Sequence, residues 1–212
     1  MAHYDLEEQE QIDSLKTWWN MYGNLITGVV VAGAVAVVGW QGWNWHQRGQ
    51  AAQASAIYGV LEQAVAARDA QKVKAAAGEL AEKFGGTAYA GMGALVAARQ
   101  SFEAGDLKTA TAQLTWAVEN GKDEVRDLAR LRLAAVQLDE KAYDQALKHL
   151  EAAHAPAFDT RFLELKGDIL AAQGKGADAK AAYKAALDKM TDKAGPTREL
   201  LQQKLDSLGE AA

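Results

Sequence analysis

The sequence predicts an all-α protein: one N-terminal membrane-spanning helix, then about four helical hairpins stacked as a solenoid and closed by a C-terminal capping helix. Three observations predict it. An apolar run from Leu25 to Trp45 contains no charged residue, and the charge-free stretch extends from Lys16 to Arg48. The 164 residues after Arg48 are rich in Ala, Leu, Glu, Lys and Gln, which favours helix. Within them, small and large apolar residues recur in pairs with a period near 34.

Residues 1–22 form a short acidic tail, with five acidic groups against one lysine in residues 1–16. Ile12, Leu15, Trp19 and Tyr22 recur at helical spacing opposite Glu8, Glu10 and Asp13, so a short amphipathic helix is expected from about Leu6 to Asn20. Two readings fit it: a helix that simply extends the span, or a separate docking segment. An acidic face does not favour anionic lipid, which makes protein the better partner for a docking segment.

Residues 23–45 are the expected transmembrane helix. About 20 apolar residues cross a hydrocarbon core of roughly 30 Å. Trp18, Trp19 and Tyr22 precede the run and Trp40, Trp43 and Trp45 close it, the two-sided aromatic belt of a spanning helix. Trp19 and Trp43 stand about 36 Å apart at the helical rise, one ring for each interface. A cleaved leader would start basic and end on small residues, whereas this segment starts acidic and ends on Trp and His. A core helix of a soluble domain has no need of the unbroken apolar or small run Leu25–Trp40. Gly28, Ala32 and Ala36 share one face, a spacing that permits close approach of a second membrane helix. The basic residues near the two ends almost balance, with Lys16 on one side and Arg48, then Arg68, on the other, so charge does not orient the span.

Residues 46–212 are the expected repeat domain. Turn signals at Arg68-Asp69, Gly85-Gly86, Gly105-Asp106, Asn120-Gly121, Glu140-Lys141, His154-Ala155-Pro156, Gly174-Lys175-Gly176 and Gly195-Pro196 place helices at about 50–67, 71–84, 87–104, 106–120, 123–140, 142–153, 158–173, 176–190 and 196–208. Ala76, Ala110, Ala146 and Ala179 are spaced by 34, 36 and 33 residues. Four residues after each stands Leu80, Leu114, Leu150 or Tyr183; twelve before each stands Ala64, Ala98, Ala134 or Gly167. Small residues let the two helices of a hairpin approach, and the large one is expected to fill the hole between neighbouring hairpins. This period and these residue types are the tetratricopeptide signature, in degenerate form. One hairpin cannot bury its apolar face alone, so the units stack. Leu200, Leu201, Leu205 and Leu208 mark the last helix as the cap.

The layout resembles the YfgM family of ancillary SecYEG translocon subunits: an acidic tail, a membrane helix ending Gly39-Trp40-x-x-Trp43-x-x-His46-Gln47, and a degenerate tetratricopeptide domain. Phe102-x-x-Gly105-Asp106-Leu107-x-x-Ala110 and Leu165-x-Gly167-Asp168-x-Leu170-x-x-x-Gly174 add to the likeness. The resemblance implies a single-pass protein of the bacterial inner membrane, N-terminus in the cytoplasm and repeats in the periplasm. It also implies association with SecYEG and with the membrane-anchored periplasmic chaperone PpiD, in passing emerging polypeptides to chaperones. A membrane-tethered scaffold with cytoplasmic repeats and a weak holdase that binds unfolded clients are the alternatives.

No enzyme is expected. The histidines His3, His46, His149 and His154 are scattered, the chain has no cysteine, and there is no metal, phosphate-loop or nucleophile motif. No cofactor is implied. A nucleic-acid partner would need a clustered basic face, and the sequence has none. A binding groove is the better candidate. The register of tetratricopeptide first helices places Tyr58, Leu61 and Val65 on the concave face from unit one. Unit two contributes Met92, Leu95, Arg99 and Phe102; unit three Leu128, Leu131 and Leu138; unit four the charged Arg161, Glu164 and Asp168. Exposure of Leu95 and Leu131 is the expectation for an apolar partner site; burial would make these residues solenoid core.

Overall fold

The computed structural model describes residues 2–191 and 194–209, with side chains from residue 10 onward, so the tail's acidic side chains ahead of Glu10 lie outside the described residues. Among the described residues every regular element is helical: α1 (Ala2–Ala66), α2 (Ala70–Phe84), α3 (Ala88–Glu103), α4 (Leu107–Asn120), α5 (Asp123–Asp139), α6 (Tyr143–Leu150), a 3-10 turn (Pro156–Phe158), α7 (Asp159–Ala172), α8 (Gly176–Lys189) and α9 (Pro196–Ser207). The all-α expectation holds.

Two expected boundaries shift. The tail helix, the apolar span and the first solenoid helix are one uninterrupted α1. No proline occurs in it, and an isolated glycine such as Gly42 or Gly49 costs only about 1 kcal/mol relative to Ala, too little to end a long helix. Helix α6 stops three residues before the expected position. Its loop is held outside the helix by buried Asp127, which accepts from Ala155 N at 2.9 Å, while Arg130 donates to the Ala153 carbonyl at 2.9 Å. Pro156 further disfavours helical geometry at Ala155.

The chain divides into two compact units, Met1–Gly49 and Gln50–Ala212. In the first, the apolar stretch is long enough to cross a bilayer. Leu25, Val29, Val30, Val31, Val35, Val37 and Val38 are each more than half exposed. A soluble core helix would bury these side chains; a lipid-facing one leaves them bare of protein.

In the second unit the repeat is visible in packing. All twelve residues of the small–large pattern are buried: Ala64, Ala98, Ala134 and Gly167; Ala76, Ala110, Ala146 and Ala179; Leu80, Leu114, Leu150 and Tyr183. The first helices of successive units also touch, α3 against α5 and α5 against α7. Unit four varies the theme. Where three units oppose Ala to Leu, it opposes Gly167 to Tyr183, and a β-carbon at Gly167 would stand 2.4 Å from the tyrosine ring.

The hairpin turn also repeats. At the end of each first helix one residue adopts the left-handed conformation: Arg68 (φ 56°), Gly105 (φ 76°), Lys141 (φ 61°) and Gly174 (φ 76°). The next residue, Asp69, Asp106, Ala142 or Lys175, donates its N–H five residues back, to Ala64, Ser101, Gln137 or Leu170 at 2.8–2.9 Å. This is the Schellman closure of a helix, and it favours glycine at the left-handed position. Arg68→Gly and Lys141→Gly are therefore each expected to stabilise the repeat domain by about 0.5–1 kcal/mol, the relief of left-handed strain less the added chain entropy. Thermal unfolding followed by circular dichroism checks this; an unchanged or lowered midpoint in both variants would refute it.

Helix α9 closes the array. Leu201 is fully buried against Leu170 and Leu187, and Arg198 donates to the Leu187 carbonyl at 3.4 Å. Lys204 Nζ lies 2.9 Å from both Glu164 Oε1 and Asp168 Oδ2. The Tyr183 hydroxyl donates to Asp168 Oδ1 at 2.8 Å. Burial, then the Asp168 carboxylate, push that hydroxyl well above its ordinary pKa, so it remains a donor. Burial works against the Lys204 ammonium, but Asp168 and Glu164 outweigh it and raise its pKa.

Candidate partner-binding groove

Helical register and the next helix together decide which of the expected groove residues reach solvent. Leu61 is fully buried. Tyr58 and Val65 are half-buried against the first hairpin's core, and the Tyr58 ring lies 5.6 Å from that of Tyr89 on α3. Leu95, expected to be partly exposed, retains only 6% and belongs to the second core cluster, because α5 lies directly against that face of α3. Leu128, Leu131 and Leu138 are half-buried at the edges of the second and fourth clusters. Met92, Arg99 and Phe102 are exposed. In unit four Arg161 is exposed, while Glu164 and Asp168 are occupied by Lys204.

Arg99 and Phe102, but not Met92, border a pocket of about 320 Å³ between the first helices of units two and three. Helix α3 contributes Ala98, Arg99 and Phe102, and Leu114 of α4 adds to the lining. Helix α5 contributes Arg132, Ala135, Val136 and Asp139. Arg99 Nε donates to Glu103 Oε1 at 2.7 Å along its own helix. Among the described residues Arg132 has no carboxylate within ion-pair distance, and it donates a long 3.4 Å hydrogen bond from Nη1 to the Leu95 carbonyl. Partial burial, then repulsion from Arg99, lower its pKa, though guanidinium stays charged at any physiological pH.

Sequence register missed Arg132, Ala135 and Asp139. It selected equivalent positions on each helix, whereas a cleft between two helices is lined by the trailing flank of one and the leading flank of the next. The spacing Leu128, Arg132, Ala135, Asp139 is itself a helical stripe and marks that leading flank.

Elsewhere, a β-carbon at Gly28 would meet nothing within 4 Å, and Ala32 and Ala36 are equally exposed. Trp18, Trp19, Tyr22, Trp40, Trp43 and Trp45 are all exposed, with Trp18 5.9 Å from Tyr22 and Trp43 6.4 Å from His46. No group of three or more His, Asp or Glu residues suited to a metal occurs among the described residues.

Residues 16–210 match the family described as tetratricopeptide repeat-like domain. A Haemophilus influenzae protein named ancillary SecYEG translocon subunit is 35% identical over 86% of this chain and 90% of its own length. The chain belongs to the ancillary SecYEG translocon subunit family. Relatives with the same name from Neisseria gonorrhoeae and Escherichia coli are 34% and 29% identical, covering 96% and 95% of this chain and 98% and 96% of theirs. The solved structure of the MamA RS-1 ArsTM double mutant shares the fold at a TM-score of 0.52, with 18% identity over 73% of this chain and 93% of that one. The ancillary subunits thus match this chain through the membrane-length stretch as well as the repeats.

Proposed function

We propose that the chain is a non-enzymatic ancillary subunit of the SecYEG translocon, an adaptor that links emerging exported polypeptides to periplasmic chaperones through its repeat domain. Residues 1–22 are the cytoplasmic tail, 23–45 cross the inner membrane, and 46–212 lie in the periplasm. PpiD is the proposed chaperone partner. The observation that carries this reading is the match to named translocon subunits along nearly the whole chain, apolar helix included. An exposed, basic-rimmed groove on the repeats is what an adaptor for polypeptides requires, and Gly28, Ala32 and Ala36 offer a face to a neighbouring membrane helix.

Because the chain has no cysteine, single thiols report topology directly. In intact spheroplasts, Ala211→Cys is expected to react with a membrane-impermeant maleimide and Ala2→Cys to be protected. The reverse pattern would overturn the periplasmic adaptor in favour of a cytoplasmic scaffold.

A further inference from the structure

We infer that the pocket between α3 and α5 takes an extended peptide segment in which an apolar side chain stands beside a carboxylate, with Arg132 as the group that reads the carboxylate. This rests on the repeat domain being a polypeptide-binding adaptor and names the ligand chemistry of one site on it.

The observations are size, lining and unbalanced charge. A volume of about 320 Å³ is at the low end of ligand pockets (~300–1,000 Å³), suited to one or two side chains rather than to a long lipid tail. Leu114, Val136 and Ala135 give it an apolar wall, and Phe102 supplies an exposed ring at the rim. Two guanidinium groups border that wall. Arg99 is already paired with Glu103, whereas Arg132 is repelled by Arg99 and has no carboxylate within ion-pair distance among the described residues. A cation placed against apolar surface without a carboxylate is complementary to a ligand that brings one, and the planar guanidinium can donate two parallel N–H bonds to its oxygens. Asp139 lies seven residues along α5 from Arg132, about 10 Å at the helical rise, or roughly three residues of extended chain. Acid is therefore favoured at one end of the segment only, and a base or free N–H suits the other.

The test uses the full-length chain in detergent micelles and short labelled peptides with one leucine beside either a single glutamate or a single lysine, the other flank being neutral. The acidic peptide is expected to bind about tenfold more tightly at low salt, with the margin shrinking as salt rises. Arg132→Gln should reduce that margin to about twofold or less without changing helical circular dichroism, and Arg99→Gln should narrow it. Lys184→Gln, on the outer helix α8, should leave it intact. Equal binding of the two peptides, no binding of either, or a preference that survives both arginine substitutions would overturn the inference. None of these results alters the thiol-labelling pattern, so failure here is separable from failure of the adaptor reading.

Discussion

Gly167→Ala is expected to destabilise the repeat domain by about 2–3 kcal/mol, the cost of overpacking a well-filled core. A single methyl group there would overlap Tyr183, and the ring has no easy retreat: it is 3% exposed and its hydroxyl is held by Asp168. The other three units show what restores the fit, since each pairs Ala with Leu. Gly167→Ala combined with Tyr183→Leu should therefore be more stable than the sum of the single changes by about 1–2 kcal/mol, the coupling of residues in direct contact. Thermal unfolding by circular dichroism gives all four corners of the cycle. Strict additivity would show that the ring does not rest on Gly167.

The second large effect concerns Leu95. As a groove residue it would accept glutamate at little cost, but its place in the second core cluster makes Leu95→Glu a buried, unpaired carboxylate. The expected loss is about 4 kcal/mol or more, against about 3 kcal/mol for the cavity left by Leu95→Ala. Because each unit of a solenoid is stabilised mainly by its neighbours, the loss in unit two should weaken units one and three as well. A melting midpoint and helicity unchanged from the parent would return Leu95 to the surface. Phe102→Ala is the corresponding probe of the groove itself, since Phe102 is 43% exposed and its truncation removes little core.

These two residues illustrate what the sequence made legible. The pairing of a small residue with a large one twelve and four positions from a recurrent alanine is a local rule, and it located every hairpin, Gly167 and Tyr183 included. Turn residues bounded the helices for the same reason: Gly105 and Gly174 supply left-handed backbone, and Asp69 and Asp106 cap the helix that follows, accepting from Lys72 and Thr109 N at 3.0 Å. Leu95 was misread because its burial depends on α5, a helix some 30 residues further along, whose flank covers it. Arg132 was missed for the converse reason. It is unremarkable on its own helix and becomes a feature only when the trailing edge of α3 is set beside it. The unbroken α1 was also beyond local rules, because a single glycine weakens a helix without deciding whether it ends.

The ion cluster at Lys204 has a consequence for assembly. A stack of like units presents at its end the same surface that the next unit would cover, so a bare end is complementary to the start of another copy and invites head-to-tail growth that never closes. Helix α9 occupies that end with Leu201 and pairs one lysine with both Glu164 and Asp168. A half-hairpin of the same chain thus fills the face that a further unit would otherwise cover.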